Sequence, residues 1–340
     1  MENSYFIYNI SEEQVVIERF HICTWEFPND TSFIEFGFEI DSVSINGKDS
    51  LELELYIPWL TGGWATEDLY PRLREPQNSR FIFNDSINGS TYLDGGTGQS
   101  GVIYEFSGRE KLCLLPVTLT ISANTKSLIA SIDLRRYNSF NHSGNSYPNG
   151  YIRFALKPSS LISTRKRGIT KATVLYDIRV NQKRNIPTEL VDKILHDGTC
   201  EIRTCFCFNI IPNNYDLVFL DSSTLKNVRT LEHAEFAIYL NDNRIKKDNF
   251  LVVFNKKTGL DSYIFFSIYS KEFIGPDQLA IAILINLVSG VLLFIPSYRI
   301  GLGKDVAAQD LLAQMPLLFW TVVAIIVLMF IYLLSKRGKK

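Results

Sequence analysis

The densest set of groups able to do chemistry lies between residues 135 and 184. Arg135, Arg136, Arg153, Lys157, Arg165, Lys166, Arg167, Lys171, Arg179, Lys183 and Arg184 all fall there. Cations at this density attract polyphosphates, and the planar guanidinium fork binds phosphate bidentately. Tyr137, Phe140, Tyr147 and Tyr151 lie among them and suit base stacking. The anion-binding set read from this pattern is Arg135, Arg136, Arg165, Lys166, Arg167 and Lys171. Its ligand would be a nucleotide or a short oligonucleotide. Two other readings use the same charges. Residues 1–68 carry fourteen acidic and two basic side chains, whereas residues 69–184 carry seventeen basic and seven acidic. The acidic part can dock on the basic part, within or between subunits. Alternatively, the basic surface faces anionic lipid headgroups.

Other chemistry is poorly marked. Asp94–Gly101 reads DGGTGQSG, and glycine-rich backbone can cradle phosphate. A phosphate-binding P-loop, however, needs GxxxxGK[ST] leading into a helix. Here the lysine is missing and the strand-like VIYEF follows, so a hairpin loop is the better reading. His196, Cys200, Cys205 and Cys207 are four zinc-capable residues within twelve positions, but their spacing matches no standard zinc module. Buried strand thiols explain them better. His21, His142, His196 and His233 are scattered, and no HExxH, GxSxG or kinase set is present. No catalytic residue, metal or cofactor is assigned on these grounds, and the chain is not read as an enzyme.

The elements that must position these groups divide into two kinds. Leu279–Tyr298 and Met315–Leu334 are each twenty residues without a charge. About 20 apolar residues cross the hydrocarbon core of a bilayer, so both read as transmembrane helices, spanning 279–298 and 315–334. Residues 299–314 form the connection, with a short amphipathic helix expected over Val306–Gln314 that turns Leu311 and Leu312 toward lipid. Residues 335–340 (SKRGKK) form a basic tail. The positive-inside rule places this tail in the cytoplasm, and two spans return the N-terminal region to the same side. MENSYFIYNISEE shows neither a basic n-region nor an apolar h-region, and the five cysteines suit a reducing compartment. The location read is the inner (plasma) membrane, multi-pass. In the first span Asn286, Ser289 and Gly290 share one helix face. Small and amide residues on one face serve helix packing or line a polar pathway.

Residues 1–272 read as mainly β, sandwich-like, with one short helix. Two packed modules are expected, 1–158 and 171–272, divided at the PSSLISTRKRGIT stretch. Asn46-Gly47 signals a two-residue hairpin between Ser32–Ile45 and Leu51–Ile57. Thr188–His196 is the expected helix, stopped by Gly198. His233–Tyr239 is expected as a strand.

This order, a large cytosolic β domain followed by a membrane hairpin, resembles the membrane effectors of bacterial antiphage defence systems. The resemblance lies in layout. It implies a soluble sensor that binds a nucleotide signal and gates a pore or breaches the inner membrane. It further implies a homo-oligomer in contact with lipid, and a partner enzyme that makes the signal. The rival reading is a membrane-tethered scaffold whose β domain binds a protein, with Trp59–Trp64 as an exposed aromatic interface.

Overall fold

The computed structural model describes residues 4–10, 14–27, 32–122, 124–141, 147–157, 163–168, 171–221, 223–245, 249–272, 276–302 and 308–337. Much of the expected 158–170 boundary therefore lies outside the described residues, as do His142, part of the connection and the end of the basic tail. The chain forms two compact units. One comprises Met1–Arg165 and Thr173–Ser270, the other Lys166–Ala172 and Lys271–Lys340.

The first unit is mostly β, in two sheets. One sheet runs, edge to edge, through Asp216–Leu220, Tyr263–Glu272, Lys171–Val180, Ser4–Asn9, Ser50–Tyr56, Ser127–Asp133 and Thr118–Ser122. The other runs through Leu225–Thr230, Phe250–Thr258, Glu201–Pro212, Val16–Glu26, Ser32–Ile40, Asn149–Lys157, Leu112–Leu114, Val102–Phe106 and Ile87–Tyr92. Alternation builds the layer between them. In Val16–Glu26, Phe20 and Ile22 join one buried cluster with Tyr5, Ile7, Phe36 and Phe38, while His21 and Cys23 point the other way. Each such buried apolar side chain contributes about 1.5–3 kcal/mol. Tyr5 of the first sheet meets Phe36 of the second at 5.8 Å between ring centroids. Asn209 donates to the Ser267 hydroxyl (3.0 Å) and the Tyr269 hydroxyl (3.1 Å) across the same layer. The far face of the second sheet is covered by the short helices Tyr70–Leu73, Pro76–Phe83 and His233–Leu240, over a second cluster that includes Trp25, Tyr104 and Tyr239.

Three sequence expectations change here. The two β modules are interleaved rather than successive. Ser4–Asn9 pairs in parallel with Lys171–Val180, and Val16–Glu26 pairs in parallel with Glu201–Pro212. Parallel pairing needs long crossovers, so the two halves of the chain are stitched together at the centre of both sheets. Asn46-Gly47 closes no hairpin, because Ser32–Ile40 and Ser50–Tyr56 belong to different sheets. The chain instead makes a helical turn, Ser42–Ile45, whose buried Ile45 anchors it, and Gly47 takes φ 77°. The Asn138 side chain holds this turn, accepting from the Gly47 N–H at 3.0 Å and donating to the Lys48 carbonyl at 2.5 Å. His233–Leu240 is a helix, ended by Asn241 in the left-handed conformation (φ 50°). The expected helix before Gly198 is present as a short 3-10 turn, Thr188–Leu190, and an α-helix, Val191–Asp197.

In the second unit the helix Pro276–Leu302 has 27 residues. Its Leu279–Gly301 stretch has a mean hydropathy of 2.5 and is unburied, so it is long and apolar enough to cross a membrane. Pro296 lies inside it. A short helix, Ala308–Ala313, and a further helix, Leu317–Arg337, follow. The described apolar part of the last helix, Leu317–Ile331, is shorter than a span. Leu311 does not face outward as expected. It is buried with Met315 and Phe319 against Val291, Ile295 and Tyr298, and Leu312 is the exposed one of the pair.

Candidate functional site

The predicted anion-binding residues do not form one site. Arg165 is spent on Glu26, whose side chain is 1 % exposed and also accepts from the Ser163 hydroxyl (3.1 Å) and the Tyr176 hydroxyl (2.7 Å). Arg135 clamps Asp133 through Nε (3.0 Å) and Nη2 (2.5 Å). That hydrogen bonding holds the Asp133 carboxyl below the usual range. Arg136 is exposed beside it. The strands bearing these groups run in the same direction, since two antiparallel pairings and one parallel pairing separate Ser127–Asp133 from Lys171–Val180. By register Ser127 is level with Tyr56 and Phe6, just past Val180, so Tyr176, beside Arg165, lies before the level at which Ser127–Asp133 begins. Arg135 follows the end of Ser127–Asp133. The two arginines therefore lie toward opposite ends of the sheet. Lys166, Arg167 and Lys171 are exposed on the hairpin of Thr164–Arg167 with Lys171–Val180, where the Gly168 N–H donates to the Lys171 carbonyl at 2.7 Å.

Part of the charge asymmetry resolves into internal pairs. Arg153, on Asn149–Lys157, donates from Nε to Glu35 at 2.8 Å, with side chains 7 % and 1 % exposed. Glu35 also accepts from the Trp25 indole N–H at 2.6 Å and from the Tyr239 hydroxyl at 3.4 Å. The other arms of Arg153 reach the Tyr151 hydroxyl (3.3 Å) and Cys23 Sγ (3.3 Å). Burial opposes the Arg153 charge, but Glu35, with Tyr239, Tyr151 and Cys23 around it, holds the guanidinium well above its ordinary pKa. Glu39 is handled in the same way, accepting from Arg109 at 2.9 Å and from Asn149 at 3.2 Å. These carboxylates come from the acidic N-terminal strands, and their partners come from the basic middle of the chain.

Register places a further group next to this network. Phe206 pairs with His21, His21 with Gly37, and Gly37 with Arg153. The His21 ring stacks on Phe206 at 4.9 Å. Phe208 stacks on Phe254 at 4.5 Å. His21 is held well below the usual histidine range by burial and by Arg153, Arg109 and Arg19, so it is neutral at pH 7. A side chain at position 37 would collide with the Tyr151 hydroxyl at 2.5 Å, so glycine is needed there. Sequence reasoning missed this row because its members lie far apart in the chain. The alternation of Arg19, His21 and Cys23 with core residues was the only signal.

The DGGTGQSG loop joins Ile87–Tyr92 to Val102–Phe106, which pair as an antiparallel hairpin. The N–H groups of Gly95, Gly96, Gly98, Gln99 and Ser100 already have acceptors within the loop and its flanks. Asp94 accepts from the N–H groups of Gly98 (2.8 Å), Gln99 (2.6 Å) and Ser100 (3.1 Å), and from the Thr97 hydroxyl (2.5 Å). The loop's own carboxylate thus uses backbone donors that a bound phosphate would need. These bonds, led by Thr97, hold the Asp94 carboxyl well below the usual range. The cysteines Cys200, Cys205 and Cys207 are buried thiols. Burial pushes Cys200 up to about 12 and raises the other two as well. Among the described residues no group of three or more His, Cys, Asp and Glu side chains is placed to hold a metal.

On the long helix the polar face stands apart from the packed face. Val291, Ile295 and Tyr298 pack toward Leu311, Met315 and Phe319, and the Tyr298 hydroxyl donates to the Gln314 carbonyl at 2.7 Å. Asn286, Ser289 and Gly290 are exposed, and a Cβ at Gly290 would meet nothing within 4 Å. At 3.6 residues per turn their centre lies roughly 150° around the helix from the packed face. No known family model matches the chain, and no curated protein matches it.

Proposed function

We propose that the chain is an oligomeric membrane effector of the antiphage type its layout resembles. The β domain is the cytosolic sensor. Pro276–Leu302 and Leu317–Arg337 cross the inner membrane as a hairpin, and several copies assemble to gate a pore or disrupt the bilayer. One observation carries this reading: the Asn286–Ser289–Gly290 face is left uncovered by the helix that packs on the opposite face. An amide and a hydroxyl facing hydrocarbon are costly, and contact with another copy removes that cost. The signal is a nucleotide or short oligonucleotide, supplied by a partner enzyme. Lys166 and Lys171 remain as its exposed cations, with Arg167 exposed between them, joined by Arg136 only if a second surface is used. Arg165 and Arg135 drop out of the binding set because Glu26 and Asp133 engage them.

The test is membrane potential and dye entry in cells expressing the full chain, Asn286→Leu, or a chimera carrying an unrelated two-span anchor. Depolarisation by the full chain, altered in Asn286→Leu and lost in the chimera, supports the effector. A chimera that retains the cellular activity of the full chain points to a tethered scaffold instead.

A further inference from the structure

Asp216–Leu220 is the edge strand of the first sheet, and it is the place where that sheet is most apolar toward solvent. Leu217, Val218 and Phe219 are consecutive and 38 %, 54 % and 49 % exposed. Single exposed apolar residues are ordinary, but three in a row on a free edge need a partner. The edge is poorly suited to strand addition by another copy. The register shifts between Leu217 and Phe219, so a bulge at Val218 interrupts the regular row of backbone groups.

Chain connectivity points to the partner. Leu217 pairs with Tyr269 and Asp216 pairs with Ser270. Pro276, where the apolar helix begins, is only six positions beyond Ser270, so the chain can stretch at most about 21 Å between them. Adjacent strands add about 5 Å. The exposed triplet therefore lies within about 30 Å of the start of the helix, whatever the orientation of the domain. Asp216 and Asp221 flank it and favour water, which limits insertion to the headgroup–acyl boundary.

We infer that Leu217, Val218 and Phe219 form a membrane-contacting edge that seats the β domain on the lipid surface next to its span. This rests on the reading of Pro276–Leu302 as a span. Contact of this kind fixes the domain relative to the bilayer, so a movement of the sensor can be passed to the helices.

The experiment uses the full chain in nanodiscs of phosphatidylcholine and phosphatidylglycerol, with and without spin-labelled lipid. Val218→Cys, Leu292→Cys and Thr120→Cys are each labelled with an environment-sensitive fluorophore. The five native cysteines are buried and stay unlabelled. Thr120 is exposed on the opposite edge strand of the same sheet and serves as the control. The inference expects lipid-dependent quenching at position 218, several-fold above that at 120. Quenching at 292 without quenching at 218 overturns the inference and leaves the span intact. Absence of quenching at both 218 and 292 removes the span and the inference together. Protection at 218 that is independent of lipid and lost on dilution of the protein assigns the edge to a second copy and overturns lipid contact.

Discussion

The β domain and the long helix treat polar residues in opposite ways. In the domain, Glu26, Glu35 and Glu39 lie on buried strands, and each meets an arginine and further donors from the same chain. On the helix, Asn286 and Ser289 face outward, away from the second helix. The first pattern is what a self-sufficient fold requires, because an unpartnered buried charge costs several kcal/mol. The second pattern is tolerable only if the partner comes from outside the chain. Polarity in the domain is therefore structural, and polarity on the helix is, under the function proposed above, kept for assembly.

The largest effect tests the domain side of this contrast. Arg153→Met strands Glu35, Tyr151 and the Cys23 contact in a site that is 7 % and 1 % exposed, and should cost about 3–5 kcal/mol in chemical denaturation. The double variant with Glu35→Gln should recover part of that loss. If Arg153→Met leaves stability unchanged, the network is incidental. Arg165→Gln should act in the same way through Glu26, lowering stability in the absence of any ligand. A loss of ligand response at full stability would instead return Arg165 to the binding set.

The helix side should give a smaller free-energy change with a larger cellular consequence. Asn286→Leu should weaken association by about 1 kcal/mol per helix contact, roughly fivefold in dissociation constant, measured by subunit exchange in bilayers. Unchanged exchange would make the polar face a bystander. A pH effect follows in the domain. Burial raises Asp68 from 3.8 to about 6, with Glu67 adding to it, while the N–H groups of Tyr70 and Val117 oppose the shift. Its contribution is fully present below pH about 3.8 and is lost as pH rises through about 6. Asp68→Asn should flatten the stability profile across that window, and an unaltered profile would reassign the titration. The smallest effect belongs to Arg135→Gln, which loses an exposed pair with Asp133 and should leave the melting temperature unchanged.

The sequence exposed much of this contrast, but unevenly. Uninterrupted apolar runs made Leu279–Gly301 legible as a helix long and apolar enough to cross a membrane, because length and apolarity are local properties. Alternation made most strands legible for the same reason. Their partners were not legible: the parallel pairing of Ser4–Asn9 with Lys171–Val180 joins segments about 170 residues apart. Another long-range pairing, Ser32–Ile40 with Asn149–Lys157, accounts for part of the charge asymmetry. Acidic and basic stretches that look like separate surfaces in the sequence are neighbours in the sheets, as Glu35 and Arg153 show. His233–Leu240 was misread because alternation over seven residues also fits a short helix, and Phe236 and Tyr239 settle it by packing over Trp25 and Glu35.

The most direct measurement is oxidative crosslinking of the full chain in native membranes, comparing Ser289→Cys with Ile295→Cys. Ser289 is on the uncovered face of the helix and Ile295 on the face packed within the chain. The account predicts disulfide-linked dimers from Ser289→Cys and monomers from Ile295→Cys. Crosslinking only through position 295, or through neither, would contradict assembly along the polar face.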